Sequence, residues 1–243
     1  MKKHIVCFGD SNTHGYCADP ADCADGGDRF NEDERWTCLL QQALGKDCLV
    51  IEEGLSGRTS VFSDPLHECM SGLDVIYSTL MSHEPVDLLI IMLGTNDTKE
   101  RLGMSAACIS MGMERLIMKA KTVMAWRGGI PNILIICPPH IGDGLYLRPE
   151  GDAMGYGCPQ KSRELAKYLR PVAENQHCAF LDAEGIAEFN KLDCMHLTRK
   201  GHRQLADKLA ELVPQLLACW SGGSSIPKPG SGAFSAGSEI SLC

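Results

Sequence analysis

The sequence lacks the features that mark several large classes of protein. Its 243 residues contain no run of about 18 apolar residues, so no membrane span is predicted. Lys and Arg (23) are outnumbered by Asp and Glu (31), and no basic stretch offsets the net charge of −8, which argues against a nucleic-acid partner. The apolar run near the N-terminus is too short for the core of a signal peptide. We therefore expect a protein of the cytoplasm.

Motifs for metals and cofactors are missing as well. None of the 13 cysteines forms a CxxC pair, and the eight histidines include no HExxH spacing, so no metal site is predicted. Neither GxGxxG nor GxxxxGK is present, so no nucleotide cofactor is expected. Cys7, Cys48 and Cys137 lie in apolar runs that predict core strands, and buried reduced thiols are favoured over a disulfide framework.

Five short apolar runs alternate with helical patterns along the chain. The runs are rich in Ile, Leu and Val without alternation, which is typical of strands buried on both faces of a parallel sheet. They cover residues 5–8, 49–51, 88–93, 133–137 and 179–181. The helical patterns cover residues 35–44, 73–82, 105–126, 161–168 and 198–217. This order predicts a doubly wound α/β sandwich, in which ligands bind at the carboxyl ends of the strands.

The chain divides into one domain and a tail. Residues 1–220 carry all the predicted strands and helices, whereas residues 221–243 are rich in Gly, Ser and Pro and are expected to be flexible. Two loops, 17–33 and 138–159, are longer than a connection requires and follow strand ends. We expect both loops to line a substrate pocket.

The first candidate for chemistry is Ser11, in Gly9-Asp10-Ser11-Asn12 directly after the first strand. A serine hydroxyl just past a strand end lies at the ligand-binding edge of the sheet, and the backbone amides of the following helix start can stabilise an anion. The alternative is that Ser11 merely caps that helix.

Two further segments follow the second and third strands. In residues 54–59 a glycine lets the backbone approach a ligand and point its N–H toward it, while Ser56 is a poor nucleophile because the segment fails the GxSxG pattern. In Gly94-Thr95-Asn96-Asp97, the Asn96 amide can donate to an oxyanion. Both segments also suit simple turns.

The last segment is Asp193-Cys194-Met195-His196, just before the final helix. His196 can take a proton from a serine, and Asp193 can hold the other ring nitrogen. A lone Asp-x-x-His is also common as a surface pair, but with Ser11 it completes a nucleophile, a base and an orienting group. Cys194 is a weaker candidate nucleophile, since no base is evident for it.

Together these segments resemble blocks one, two, three and five of the SGNH (GDSL-type) hydrolase superfamily, in order across residues 5–200. The resemblance implies a flavodoxin-like three-layer α/β/α sandwich with a five-stranded parallel sheet. It implies a catalytic triad of Ser11, Asp193 and His196. It also implies an oxyanion hole formed by the backbone N–H groups of Ser11 and Gly57 and the side chain of Asn96.

A narrower resemblance is to the bacterial arylesterase/acyltransferase (perhydrolase) branch, through residues 35–37, 52–59 and 91–99. It implies small acyl esters as substrates and a homo-oligomer. By this analogy Trp36, and with it Asp10, is predicted in the substrate pocket, although Trp36 also suits a core position in its helix. The Gly-rich part of loop 138–159 has no match in the branch, which leaves the acyl size open.

The expected function is therefore a serine esterase that hydrolyses small acetyl or aryl esters through an acyl-enzyme without a cofactor. Transfer of the acyl group to an alcohol acceptor is a further expected activity. The alternatives are a carbohydrate deacetylase of the same superfamily and, in a different class, a non-catalytic α/β module that binds small molecules.

Overall fold

The computed structural model describes residues 1–219 and 240–241. Five parallel strands form one sheet in the order β2-β1-β3-β4-β5. Their bounds are Lys3–Gly9 (β1), Cys48–Gly54 (β2), Leu88–Met92 (β3), Ile133–Cys137 (β4) and Ala179–Asp182 (β5). Every residue of β3 and β4 is buried, which explains why these strands show no polar alternation. The predicted parallel sheet is confirmed.

Helices cover both faces of the sheet. Their bounds are Ser11–His14 (α1), Trp36–Leu44 (α2), Gly72–Ser82 (α3), Ala106–Lys121 (α4), Pro149–Met154 (α5), Cys158–Asn175 (α6) and Arg199–Cys219 (α7). Alternate residues of β3 point to opposite layers: Leu89 and Ile91 pack in the core beneath α3, α4 and α6, whereas Leu88 and Ile90 pack in the core beneath α2 and α7. This is the predicted three-layer α/β/α sandwich.

Loop 138–159 contains regular structure that the sequence analysis did not predict. Residues Asp143–Leu147 form a 3₁₀ helix, and α5 follows it with Pro149 in its first turn. The helix ends at Gly155, where φ is 79°. Proline at the start and glycine at the end are a normal pair of helix boundaries, but six residues are too few for a periodic signal.

Two other boundaries differ from the prediction. Helix α6 continues past the predicted end at 168 and contains Pro171, which removes one backbone donor but does not stop the helix. Residues Ile240–Ser241 of the predicted tail form a short strand, β6, antiparallel to β5. The remainder of the predicted tail lies outside the described residues.

Two smaller findings concern the thiols and the helices. Cys7 and Cys137 are free and buried in β1 and β4, and burial raises the pKa of both thiols well above the ordinary value. They are therefore packed core groups without thiolate reactivity. No helix within the described residues combines the length and the apolar character needed to cross a membrane.

Strand register places the functional segments together. Gly9 at the end of β1 pairs with Gly54 of β2 on one side and Met92 of β3 on the other. The segments that follow these three strands therefore leave the sheet at the same edge.

Candidate active site

Ser11 begins α1 immediately after the end of β1. Asp10 is the N-cap of this helix, and its Oδ1 accepts the Asn12 backbone N–H at 3.0 Å. A Cβ on Gly9 would lie 2.1 Å from Thr13 Oγ1 and 2.9 Å from the Met92 carbonyl oxygen. Glycine is therefore required for the tight connection that brings Ser11 to the edge of the sheet.

The structure brings Ser11, His196 and Asp193 together. Ser11 Oγ lies 2.8 Å from His196 Nε2, and His196 Nδ1 is hydrogen-bonded to Asp193 Oδ2. The second carboxylate oxygen of Asp193 accepts the backbone N–H groups of Met195 and His196, each at 3.1 Å. Since Nδ1 faces a carboxylate, it carries the proton, and Nε2 is the nitrogen that can accept the proton of Ser11.

The Asp193 carboxylate is ionised beside the His196 ring, as an orienting group for a general base requires. Burial raises the pKa of the Asp193 carboxyl, but hydrogen bonds from the His196 ring and from the backbone N–H groups outweigh it, so the net pKa is lowered. Asp193 is 2% exposed and His196 9%. A buried, ionised carboxylate in this position can stabilise an imidazolium, as the base of a serine nucleophile requires.

Two residues that contact Asp193 and His196 had not been predicted. The Tyr16 ring packs against the His196 ring, with 4.6 Å between their centroids. Asn190 Oδ1 accepts the Asp193 N–H at 3.0 Å, and its Nδ2 donates to the His196 carbonyl at 2.9 Å. Asn190 lies three positions before Asp193, but nothing in its spacing distinguished it from a turn residue.

The segments carrying Gly57 and Asn96 are joined directly. Gly57 has φ of 94°, and Asn96 begins a 3₁₀ helix after β3. Asn96 Nδ2 donates to the carbonyl of Arg58, the neighbour of Gly57, at 3.2 Å. An amide nitrogen has two hydrogens, so one remains for an oxyanion. Asp97 completes the connection, because its Oδ1 accepts both the backbone N–H (2.9 Å) and the hydroxyl of Ser60.

Arg58 is a further residue that sequence reasoning missed. Its guanidinium donates to the carbonyl oxygens of Gly9 (3.1 Å) and Glu53 and lies 4.2 Å from the centroid of the Phe8 ring. These contacts hold the ends of β1 and β2 to the segment that carries Gly57. Arg58 is 6% exposed, and burial lowers its pKa.

The structure buries both Asp10 and Trp36, the two residues that the analogy predicts in the substrate pocket. Asp10 is 1% exposed and caps α1, and burial raises its pKa to about 6. Trp36 is fully buried in the core beneath α2 and α7, where its indole N–H donates to the Asn12 carbonyl at 3.1 Å. Its aromatic bulk fills the core, which is the alternative that its helix position also allowed.

The competing nucleophiles are less well placed. Ser56 is exposed in the turn after β2. Cys194 is buried in the turn between Asp193 and His196, with φ of 60°, and burial raises the pKa of its thiol. A thiol in such an environment is a poor source of thiolate.

Comparison with known families agrees with this geometry. A model of the GDSL-like lipase/acylhydrolase family matches residues 7–204. The chain belongs to this family. Comparison with curated proteins gives no match.

Solved structures show the same relationship. The aryl esterase of M. smegmatis is 37% identical, with a TM-score of 0.79 over 88% of this chain and 99% of that one. A carbohydrate acetylesterase family member from Sinorhizobium meliloti is 33% identical, with a TM-score of 0.78 over 89% of this chain and 99% of that one. A lipase/acylhydrolase from Enterococcus faecalis shares the fold. It is 19% identical, with a TM-score of 0.63 over 88% of this chain and 96% of that one. The chain is a carboxylic ester hydrolase of the SGNH type.

Proposed function

We propose that this hydrolase is a serine esterase for small acyl esters, acetyl and aryl esters among them, and that it acts through an acyl-enzyme. Ser11 is the nucleophile, His196 the general base and Asp193 the group that orients it. The observation that carries the proposal is the continuous set of hydrogen bonds from Ser11 Oγ through the imidazole to a buried carboxylate.

The first half-reaction forms the acyl-enzyme. Ser11 Oγ attacks the carbonyl carbon while its proton passes to His196 Nε2. The Ser11 and Gly57 backbone N–H groups and the Asn96 amide stabilise the oxyanion. The C–O bond to the leaving alcohol then breaks, and the alcohol takes the proton from His196.

The second half-reaction releases the acyl group. Water gives its proton to His196 Nε2 as it attacks the acyl carbonyl, and the proton returns to Ser11 as the Ser11–acyl bond breaks. A bound alcohol attacking in place of water forms a new ester, so acyl transfer is part of the proposal. The support for acyl transfer is the resemblance of residues 52–59 and 91–99 to the acyltransferase branch. A pocket that holds the alcohol against the acyl carbonyl would let it compete with water.

Short acyl chains are the preferred substrates in this proposal. The support for this preference is the similarity to the aryl esterase of M. smegmatis, together with the Tyr16 ring that packs against the imidazole. The test is a series of p-nitrophenyl esters from acetate to octanoate. We expect kcat/KM to fall at least about tenfold from acetate to octanoate. Faster hydrolysis of octanoate would contradict the preference for small acyl groups.

A carbohydrate acetylesterase is the second candidate, and the similarity to the Sinorhizobium meliloti structure favours it. Comparing kcat/KM for acetylated xylose and for phenyl acetate separates the two. A preference of more than about tenfold for the sugar would assign the protein to that class.

Three further properties stay predictions: a homo-oligomer, an alcohol acceptor and a location in the cytoplasm.

A further inference from the structure

The Asn12 side chain bridges the two residues on either side of His196. Its Oδ1 accepts the Leu197 backbone N–H at 2.9 Å, and its Nδ2 donates to the Met195 carbonyl at 3.3 Å. Asn12 follows Ser11 in the chain and is 1% exposed. One side chain therefore connects the helix that carries the nucleophile to the segment that carries the base.

The backbone of Asn12 is itself fixed. Its N–H donates to Asp10 Oδ1, and its carbonyl accepts the indole N–H of Trp36 at 3.1 Å. Trp36 is fully buried in the core, so it cannot move without repacking its neighbours. The amide that contacts the His196 segment is thus anchored to a rigid part of the fold.

The bonds within the His196 segment cannot replace this connection. Asp193 contacts the ring and the backbone of His196, but both residues belong to the same loop. These bonds set the orientation of the imidazole relative to Asp193. They do not set the distance from the loop to α1, which the Asn12 amide spans.

We propose that Asn12 is a positioning residue that holds His196 Nε2 at hydrogen-bonding distance from Ser11 Oγ. The proposal rests on the proposed function of these two residues and extends it. A misplacement of about 1 Å can cost on the order of 100-fold in rate, because proton transfer requires close approach of the two atoms. Asn12 therefore acts on the rate of acylation and has little effect on binding of the ester.

The test compares Asn12→Leu with a matched control, Asn132→Leu. Leucine is similar in size to asparagine but makes no hydrogen bond. Asn132 is 2% exposed, and its Nδ2 also joins two backbone carbonyls, those of Asp87 and Leu216, away from the site. Losing a buried amide should destabilise both variants by similar amounts. Steady-state hydrolysis of p-nitrophenyl acetate by the folded proteins gives kcat and KM.

We expect Asn12→Leu to lower kcat by roughly 10- to 100-fold with KM within about twofold of wild type, and Asn132→Leu to keep its kcat. A second readout is the low-field proton NMR signal of the His196 Nδ1–H. It should persist in Asn12→Leu, because the bond to Asp193 lies within one loop. An unchanged kcat, an equal loss in Asn132→Leu, or loss of the low-field signal would each overturn the proposal.

A second variant covers the case in which Asn12→Leu does not fold. Trp36→Phe keeps a buried aromatic ring but removes the indole N–H that fixes the Asn12 carbonyl. We expect a fall in kcat of about threefold or more at unchanged KM, since Asn12 is then less firmly held. No change in kcat would contradict the proposal. Activity retained in Ser11→Ala would instead contradict the proposed function itself, so the two failures are distinguishable.

Discussion

Ser11 Oγ lies 2.8 Å from His196 Nε2, although 185 positions separate the two residues in the chain. The other ring nitrogen, Nδ1, is hydrogen-bonded to the Asp193 carboxylate. The tautomer with its proton on Nδ1 has a free lone pair on Nε2, which faces Ser11. The contact therefore has the geometry that general-base catalysis requires, before any substrate binds.

The first prediction is that Ser11→Ala abolishes ester hydrolysis and leaves the fold intact. Removing the nucleophile of a triad costs several orders of magnitude in turnover and leaves only the catalysis of the oxyanion hole. The hydroxyl is nearly enclosed but small, so its loss should change the melting temperature little. The measurement is turnover of p-nitrophenyl acetate by the purified variant, with circular dichroism to verify folding.

The matched control is Ser56→Ala, in the exposed turn after β2, which should keep wild-type turnover. A serine-directed fluorophosphonate should label the peptide that contains Ser11 in both the wild type and the control. More than a tenth of wild-type activity in Ser11→Ala, or labelling at Ser56, would contradict the assignment of Ser11 as the nucleophile.

The second prediction is that Asn96→Ala lowers kcat by about 100- to 1000-fold with little change in KM, as loss of one oxyanion donor does. Asn96 Nδ2 also donates to the Arg58 carbonyl, so a moderate fall in melting temperature is expected. Turnover has to be measured per folded molecule. If Asn96 served only the turn, the melting temperature would fall and turnover would hold.

The strands, and the short segments that carry Ser11, Asp193 and His196, were predictable because each has a signal within a few residues. Ile90 and its neighbours form a run without polar alternation, as strands buried on both faces require, and Asp193 precedes His196 at a spacing short enough for one loop to bring the two together. Ser11 could be placed at the same edge because it follows a strand end.

The supporting residues were not predictable in this way. The Asn12 amide, the Tyr16 ring and the buried Trp36 depend on which segments meet after the strands end, and local patterns do not encode that meeting. The position of Trp36 in the core depends on the space between α2 and the sheet, which the analogy behind its predicted pocket role does not describe. Helix α5 is too short to show a period.

The third prediction concerns Gly9. A Cβ at this position would lie 2.1 Å from Thr13 Oγ1 and 2.9 Å from the backbone oxygen of Met92, which cannot give way as a flexible side chain can. We expect Gly9→Ala to lower the free energy of unfolding by roughly 1–3 kcal/mol or more. The substitution should also displace Ser11, so turnover should fall as well. The measurements are the melting temperature and kcat of the folded protein.

Gly27→Ala is the matched control for Gly9→Ala. Gly27 has no positive φ, and a Cβ there would make only one contact, at 4.0 Å. Its melting temperature should stay at or slightly above that of wild type, because alanine restricts the unfolded chain. A Gly9→Ala protein as stable and active as this control would show that the end of β1 is less tightly packed than the structure indicates.

The fourth prediction is a dependence of stability on pH through Asp97, which is fully buried. Burial raises its pKa from 3.8 to about 6, against hydrogen bonds from Ser60 that lower it. Between these values the folded protein holds a proton that the unfolded chain has released, so the contribution of Asp97 to stability falls as pH rises and is lost above about 6. The full change is roughly 3 kcal/mol. Asp10, with its pKa also near 6, contributes in the same direction.

Two variants isolate this effect from the carboxyls with lowered pKa, such as Asp193, whose contribution has the opposite sign. Asp97→Asn cannot ionise, so its melting temperature relative to wild type should rise by on the order of 5–10 °C between pH 4 and pH 7.5. Ser60→Ala removes a hydrogen bond that favours the ionised form, so its melting temperature relative to wild type should fall over the same range. Thermal unfolding at a series of pH values measures both differences. If both differences stay constant with pH, the pKa of Asp97 is the same in the folded and the unfolded protein. The buried carboxylate is then better solvated than its burial implies.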